Sequence, residues 1–281
     1  MSNGVNWQIF GHQRAKNILE KQLAQDKFPH AYLFWGLAGL GKKQLAMEFA
    51  HKVLSAERLD NHPDFQILDA NGEITMELAL EFVSRLSLKP FLGKRKIAII
   101  DNAQNLNQHS SNALLKTLEE PSASTIIILI ASPGKILPTI ISRCQVLNFS
   151  GFSRSQMEEF AEANKLKINP AMLDLSFGSL ATLRALSQDS DFFREQSDIV
   201  ESYKNATKAS VAEKLTSINT LADLETDKLE EQLSTWLFWQ LHRLEDKPED
   251  YQKVQALTDS LNGLRQNKNK KLVLQGLMLK I

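Results

Sequence analysis

Residues 36–43 combine three glycines with two lysines, which suits them to binding phosphate. They read Gly-Leu-Ala-Gly-Leu-Gly-Lys-Lys, which fits G-x-x-x-x-G-K but lacks the Ser or Thr that usually follows. Glycines let backbone N–H groups curve around a phosphate, and a helix beginning there directs its positive end at the same ligand. Lys42 supplies a cation for the outer phosphates of a nucleotide.

Two groups that usually serve ATP hydrolysis are altered in this sequence. The hydroxyl that would hold magnesium is replaced by Lys43, and a cation cannot ligate a cation. A predicted strand ends in Asp101, a suitable metal-organising carboxylate, but the next residue is Asn102 where a Glu would activate water. An amide orients water without accepting its proton. We therefore predict a relative of the P-loop ATPases that does not hydrolyse ATP itself.

Arg143 lies just before the last predicted strand, beyond a turn that contains Pro138. An arginine at the rim of a sheet either forms a surface ion pair or reaches the nucleotide of a neighbouring subunit, as arginine fingers do. The residues themselves leave both interpretations open.

Five short apolar segments alternate with helical ones and predict a parallel sheet covered on both faces. The predicted strands are 31–35, 62–68, 96–101, 125–131 and 145–149. The phosphate loop falls between the first strand and a helix at 44–54. Residues 75–86 read as a helix with Leu78, Phe82 and Leu86 on one face.

After residue 150 the pattern is helical only, with one compact group at 153–186 and a second from about 192 to 281. The most apolar stretch, 235–242, contains Trp236 and Trp239. These two side chains belong either to a core or to a surface between subunits.

Composition narrows the class of protein further. The 281 residues include 33 basic and 33 acidic side chains, so net charge gives no hint of non-specific attraction to nucleic acid. The single cysteine, Cys144, excludes an internal disulfide. Residues 1–10 show no signal pattern and no apolar run reaches membrane-spanning length, so we expect a cytoplasmic protein.

Several stretches resemble the delta-prime subunits of bacterial DNA polymerase III clamp loaders, which are members of the AAA+ superfamily. The most specific are 112–121, which read Asn-Ala-Leu-Leu-Lys-Thr-Leu-Glu-Glu-Pro, and 142–144, which read Ser-Arg-Cys. Further matching stretches are 9–12, 30–34, 36–42 and 61–65.

The resemblance implies an α/β AAA+ P-loop base domain with a five-stranded parallel sheet at 1–150. A small helical lid at 151–191 and an all-α collar for oligomerisation at 192–281 would follow. It also implies a non-hydrolysing (stator) subunit of the DNA polymerase III holoenzyme. That subunit would join delta and gamma/tau in a pentameric ring that opens the sliding clamp and places it on primed DNA. Arg143 would then act in trans on the ATP of a neighbouring motor subunit.

Some family features are missing from this chain. Residues 178–181 match the lid segment Gly-Ser-x-Arg, but Ala181 replaces the arginine that senses nucleotide, and Arg184 comes three residues later. The four-cysteine zinc module of many relatives is absent, so we predict no zinc. Ser132 stands where the family senses the γ-phosphate, and it reads equally well as a polar strand cap.

The predicted site is a degenerate nucleotide site for which no cofactor is required. The sequence leaves open whether it holds ATP or ADP without hydrolysis or no nucleotide. Its residues are Gly36, Gly39, Gly41, Lys42, Lys43, Asp101 and Ser132.

Two other functions compete with the stator interpretation. One is an ATP-hydrolysing motor subunit of the gamma/tau type, against which Lys43 and Asn102 argue. The other is an interaction protein with the AAA+ fold that acts outside replication and differs only in its partners.

Overall fold

A computed structural model of the chain describes residues 6–69, 72–86, 88–132, 136–243 and 250–281. Of the amino-terminal stretch without a signal pattern, residues 1–5 lie outside the described residues. The chain forms two compact units, one of residues 1–160 with 178–181 and the other of 161–177 with 182–281. The division into base, lid and collar stays a prediction.

The first unit is built on a five-stranded sheet in which all neighbouring strands are parallel, in the order β2-β3-β4-β1-β5. The strands are β1 (Ala31–Gly36), β2 (Phe65–Asp69), β3 (Lys96–Asp101), β4 (Thr125–Ala131) and β5 (Gln145–Phe149). Every residue of β4 is buried, as expected for a central strand covered on both faces. The predicted fold class, an α/β AAA+ P-loop domain followed by helices, is confirmed.

Helices connect these strands and cover the sheet. They are α1 (Gln13–Gln25), α2 (Lys42–Leu54), α3 (Met76–Leu86), α4 (Gln108–Glu119), α5 (Pro138–Ile141) and α6 (Arg154–Ala163), the last of which continues into the second unit. The side chain of Asn107 caps α4 by accepting a hydrogen bond from the Ser110 backbone N–H (2.8 Å). The same helix ends before Pro121, which cannot continue it.

Two details of the predicted elements were wrong. The second strand begins at Phe65 rather than at position 62, because residues 62–64 form a turn in which the Asp64 backbone N–H donates to His62 Nδ1 (3.1 Å). In α3 the buried residues are Ala79, Phe82 and Leu86, whereas Leu78 is 41% exposed. The buried face of that helix is therefore rotated toward Ala79, which leaves Leu78 on its flank.

The second unit is helical. Its helices are α7 (Pro170–Leu175), α8 (Leu180–Gln188, whose first two residues belong to the first unit), α9 (Ser190–Lys208), α10 (Val211–Ala222), α11 (Thr226–Arg243), α12 (Tyr251–Arg265) and α13 (Lys270–Met278). Trp236 is 1% exposed and donates its indole N–H to Ile199 O (2.9 Å), and Trp239 is 8% exposed. Both tryptophans thus belong to the core of this unit. None of the described helices combines the length and hydrophobicity that crossing a bilayer requires.

Candidate functional site: a phosphate loop with an internal cation

The phosphate loop connects the carboxyl end of β1 to the amino end of α2. Gly39 (φ 74°) and Gly41 (φ 81°) both adopt the left-handed region, which other residues enter at a cost. Gly41 is also the residue that precedes the first turn of α2, so the positive end of a 13-residue helix faces the loop. The backbone therefore has the form that a phosphate site needs.

The Lys42 ammonium lies inside this loop. It donates to Gly36 O (2.6 Å) and to Leu37 O, and the residue is only 6% exposed. Burial lowers the pKa of Lys42 to about 8, while the negative charge of Asp101 acts in the opposite direction. Lys42 thus stabilises the loop through its carbonyls, and it must leave them to reach a phosphate.

Lys43 points instead toward the ends of β2 and β3. Its ammonium donates a short hydrogen bond to Asp69 Oδ2 and lies 3.2 Å from Asp101 Oδ2. The hydrogen bond to Asp69, with the added effect of Asp101, raises the pKa of Lys43 above its ordinary value. The ammonium therefore stays protonated between the two carboxylates at neutral pH.

Magnesium is the ion that a phosphate loop of this type ordinarily uses, and the residues here do not fit it. Magnesium needs oxygen ligands and is bound by a loop hydroxyl and a strand-terminal carboxylate. The hydroxyl is missing, and the carboxylate of Asp101 already contacts the ammonium of Lys43. These residues therefore do not form a magnesium site.

A chain of hydrogen bonds connects Asp101 with the end of β4. Asp101 Oδ1 accepts from the backbone N–H of Asn102 (3.0 Å), and Asn102 Oδ1 accepts from Gln104 Nε2 (3.2 Å). Gln104 Oε1 in turn accepts from the Ser132 backbone N–H (3.1 Å). The predicted residues Asp101 and Ser132 therefore lie at the same edge of the sheet. The side-chain oxygen of Asn102, the residue that stands where the sequence motif expects a Glu, is thus occupied by Gln104.

Residues 178–181 pack against the loop as part of the same unit. Ser179 Oγ donates to Gly39 O (3.2 Å), and a methyl group at Gly39 would lie 2.2 Å from Ser179 Oγ and 3.4 Å from Ala181 Cβ. Position 181 is thus beside the phosphate loop, where an arginine would contact a ligand. The alanine there offers no such contact.

Arg143 lies far from the phosphate loop. It is two residues before β5, whose Gln145 pairs with Tyr32 and whose Phe149 pairs with Gly36. Four residues of extended strand span roughly 13 Å. Arg143 therefore lies at the amino-terminal end of the strands, whereas the phosphate loop lies at their carboxyl-terminal end. Its guanidinium pairs with Glu119 Oε1 (2.6 Å) and also donates to Thr139 O (2.9 Å). This arginine does not act on the loop of its own chain.

Three residues that contact Lys43, Arg143 or the phosphate loop were not predicted from the sequence. Asp69 and Glu119 are the partners of Lys43 and Arg143, and each partnership depends on how separate elements meet. His12 supports the loop from behind, donating Nε2–H to Leu40 O (2.6 Å) while its ring packs on Phe149. Burial lowers the pKa of His12. His12 and Glu119 each lie in a stretch that matches the family, 9–12 and 112–121, whereas Asp69 lies outside the matching stretches.

Among the residues that the structure describes, no group of three His, Cys, Asp or Glu side chains is arranged to hold a metal ion. Lys43, Asp69 and Asp101 are thus best regarded as an ion-paired cluster.

The fold and the loop define a class of protein, and comparison with known families narrows it. A parallel sheet carrying a phosphate loop after β1, with the hydrolytic groups altered, is an AAA+ P-loop domain in degenerate form. The family model described as "DNA polymerase III, delta subunit" matches residues 11–153, just over half of the chain. The chain belongs to this family, and its delta-prime subunits are the relatives it resembles.

Relatives support this assignment. The chain is 34% identical over 211 residues to the DNA polymerase III subunit delta-prime of Pseudomonas aeruginosa, with 65% of this chain and 63% of the relative covered. It is 27% identical to the delta-prime subunit of Bacillus subtilis, with 68% and 64% covered. A tau/gamma subunit of Haemophilus influenzae is 29% identical over 63% of this chain and 29% of its own length. The chain thus spans somewhat under two thirds of the delta-prime relatives.

Solved structures give a weaker likeness. A DNA polymerase III gamma subunit-related protein from Thermotoga maritima covers 93% of this chain and 97% of its own, with 19% identity and a TM-score of 0.47. The RuvB branch migration motor of the same organism covers 69% and 64%, with 17% identity and a TM-score of 0.46. Both scores are below 0.5, so the fold assignment rests on the sheet order and the family match.

Proposed function

We propose that this chain is a clamp-loader subunit that does not hydrolyse ATP and that supplies Arg143 to ATP bound by a neighbouring subunit. Its partners are the delta and gamma/tau subunits in a pentameric ring, together with the sliding clamp and, through the complex, primed DNA. The observation that carries the proposal is the ion-paired position of Lys43 beside Asp101, in which an ammonium contacts the carboxylate that would otherwise organise magnesium.

The loss of hydrolysis is supported at two separate groups. Lys43 contacts the carboxylate that would organise magnesium, and Asn102 cannot accept a proton from water. Ala181 adds a third change, because it lies beside the loop without a cation to sense nucleotide. One such change could be compensated, but changes at the metal ligand, the base and the sensor together leave no route to catalysis.

The role of Arg143 is supported by its position and by how weakly it is held. The side chain of Arg143 is 33% exposed and that of Glu119 is 49% exposed. An exposed ion pair of this kind is worth about 0.2–1 kcal/mol, so little is lost when the guanidinium turns outward. In a neighbour's site the same guanidinium would stabilise charge in the transition state, where an arginine finger can accelerate hydrolysis roughly 10³-fold or more.

The experiment uses a reconstituted clamp loader with clamp and primed DNA, and compares wild type with Arg143→Ala. We expect ATP turnover to fall sharply in the variant, with Arg143→Lys rescuing little because lysine lacks the planar fork. Arg85→Ala is the matched control, since Arg85 forms a surface pair with Glu81 (2.7 Å) on α3. The isolated chain with MgATP should show no turnover.

Two outcomes would contradict the proposal. Robust ATP hydrolysis by the isolated chain would favour the gamma/tau-type motor instead. Unchanged turnover in a loader that contains Arg143→Ala would remove the finger role. The third alternative, an interaction protein outside replication, has the family match against it.

A further inference from the structure

The two carboxylates that surround Lys43 are placed together by the sheet itself. Asp69 and Asp101 are the last residues of neighbouring parallel strands and are register partners. Side chains at paired positions of adjacent strands point to the same face, with the strands about 4.8 Å apart. Two ionised carboxylates at that spacing repel each other, so a cation between them is favourable.

The cation present is supplied by the chain. Position 43 is the second residue of α2, and its side chain extends from the phosphate loop toward the ends of β2 and β3. The ammonium contacts both carboxylates, and the Asp101 side chain is only 14% exposed. In a metal-dependent loop the same position provides a hydroxyl that holds magnesium next to the strand carboxylate.

We propose that the Lys43 ammonium replaces the magnesium ion of this site, so that the wild-type loop excludes divalent cations and one substitution converts it into a metal site. The inference rests on the proposed loss of hydrolysis in that both use Lys43. It adds that the acidic part of a metal site is still present: removing the ammonium leaves Asp69 and Asp101 unneutralised on one face. A threonine at position 43 adds the hydroxyl ligand as well.

The test measures binding of Mn²⁺ alone by electron paramagnetic resonance, with Mg²⁺ competition, and needs no nucleotide. Wild type should bind no Mn²⁺ that depends on Asp101. Lys43→Thr should bind one Mn²⁺ per chain at least ten times more tightly than wild type, and its melting temperature should rise when Mn²⁺ is added. The double variant Lys43→Thr/Asp101→Asn should lose that binding.

Lys94→Thr is the matched control, because it removes an exposed lysine elsewhere in the same unit. If wild type, with Lys43 still present, binds Mn²⁺ and the substitution Asp101→Asn abolishes that binding, the proposal is overturned. A folded Lys43→Thr chain, with the circular dichroism of wild type, that gains no Mn²⁺ would overturn it too. Lys43→Ser is a second variant in case the threonine is not accommodated.

The outcomes of this test and of the test of the proposed function can be told apart. A failed metal assay would remove the argument from Lys43 for lost hydrolysis. Failure of the metal assay leaves Arg143 untouched, because the finger is measured by ATP turnover in the loader. Conversely, unchanged ATP turnover in a loader that contains Arg143→Ala would not change which ions bind beside Asp101.

Discussion

Two adjacent lysines in the phosphate loop differ because their surroundings differ. Lys42 is buried among backbone carbonyls, and burial lowers its pKa to about 8. Lys43 reaches two carboxylates, and the hydrogen bond to Asp69 raises its pKa. At the scale of single residues, Lys42 donates to uncharged backbone carbonyls, whereas Lys43 already contacts two carboxylates.

Asp64 shows a comparable use of charge away from the site. The residue is 1% exposed, and its carboxylate accepts hydrogen bonds from the backbone N–H groups of Phe91 (2.5 Å), Leu92 (2.8 Å) and Gly93 (3.1 Å). Burial by itself would raise the pKa of Asp64, but the three donors hold it below the ordinary value. The residue therefore fixes the backbone of the segment that leads into β3.

Asp64→Asn should destabilise the chain by about 1–3 kcal/mol at pH 7, because an amide cannot accept all three hydrogen bonds. Since the folded pKa of Asp64 is lowered, its contribution is complete above the unfolded pKa of roughly 3.9 and is lost as the pH falls through the folded value. The difference in free energy of unfolding between wild type and variant should therefore shrink at low pH. Urea unfolding at several pH values measures it.

Asp60→Asn is the control for this experiment, because Asp60 is an exposed aspartate of the preceding turn. Its effect should stay within about 0.5 kcal/mol. Equal effects of the two variants, or a difference that grows as the pH falls, would contradict the assigned role of Asp64.

At the scale of elements, the conformation of the phosphate loop depends on glycines in the left-handed region. Gly39 combines a φ of 74° with close packing, since an added Cβ would lie 2.2 Å from Ser179 Oγ. Both backbone strain and overlap would therefore oppose any side chain there. The loop is thus fixed by residues 178–181 as well as by its own sequence.

Gly39→Ala should lower stability by about 1–3 kcal/mol, the range expected for strain at a left-handed position with a steric clash. Gly72→Ala is the matched control, because nothing lies within 4 Å of its added Cβ. Thermal unfolding of both variants decides the question. Equal melting temperatures for the two would mean that the loop relaxes freely around position 39.

The strands with correctly predicted bounds show either continuous burial, as in β3 and β4, or an alternation of exposed and buried residues, as in β5. The strands β3, β4 and β5 match their predicted bounds, and all of β4 is buried. The edge strand β2 is half-exposed along its length, so its apolar pattern did not fix where it begins. For the same reason the role of Asp69, at the end of that strand, could not be foreseen.

The candidate site was predictable to the same degree. A missing hydroxyl at position 43 can be seen in the sequence, and so can the amide of Asn102. The pairing of Lys43 with Asp69 requires the register between β2 and β3, which no local pattern contains. Local chemistry was therefore readable, whereas contacts between distant segments were not.

At the scale of the whole molecule, the phosphate loop and Arg143 lie at opposite ends of the parallel strands of one sheet. The phosphate loop at one end of the strands and the proposed finger, Arg143, at the other suit head-to-tail assembly, in which each subunit offers a different surface to each neighbour. The proposed ring requires such an arrangement.

The sheet order also predicts how much chain the first unit needs. β1 pairs only with β4 and β5, with Leu33 opposite Leu129 and Val146. A truncated chain of residues 1–123 lacks both β4 and β5, so β1 should be unpaired. We therefore expect β1 and the phosphate loop of the truncated chain to be sensitive to limited proteolysis. Full-length chain under the same protease is the control. A protected loop region in the truncated chain would contradict this prediction.

The order of the strands in the sheet differs from the order in which they are synthesised. Within the sheet, β1 and the phosphate loop that follows it are synthesised well before β4 and β5, the two strands that flank β1. Contacts between such distant segments form slowly, and unpaired strands are prone to aggregation while they wait. The earliest motif of this sheet to be translated is therefore among the last to acquire its final neighbours.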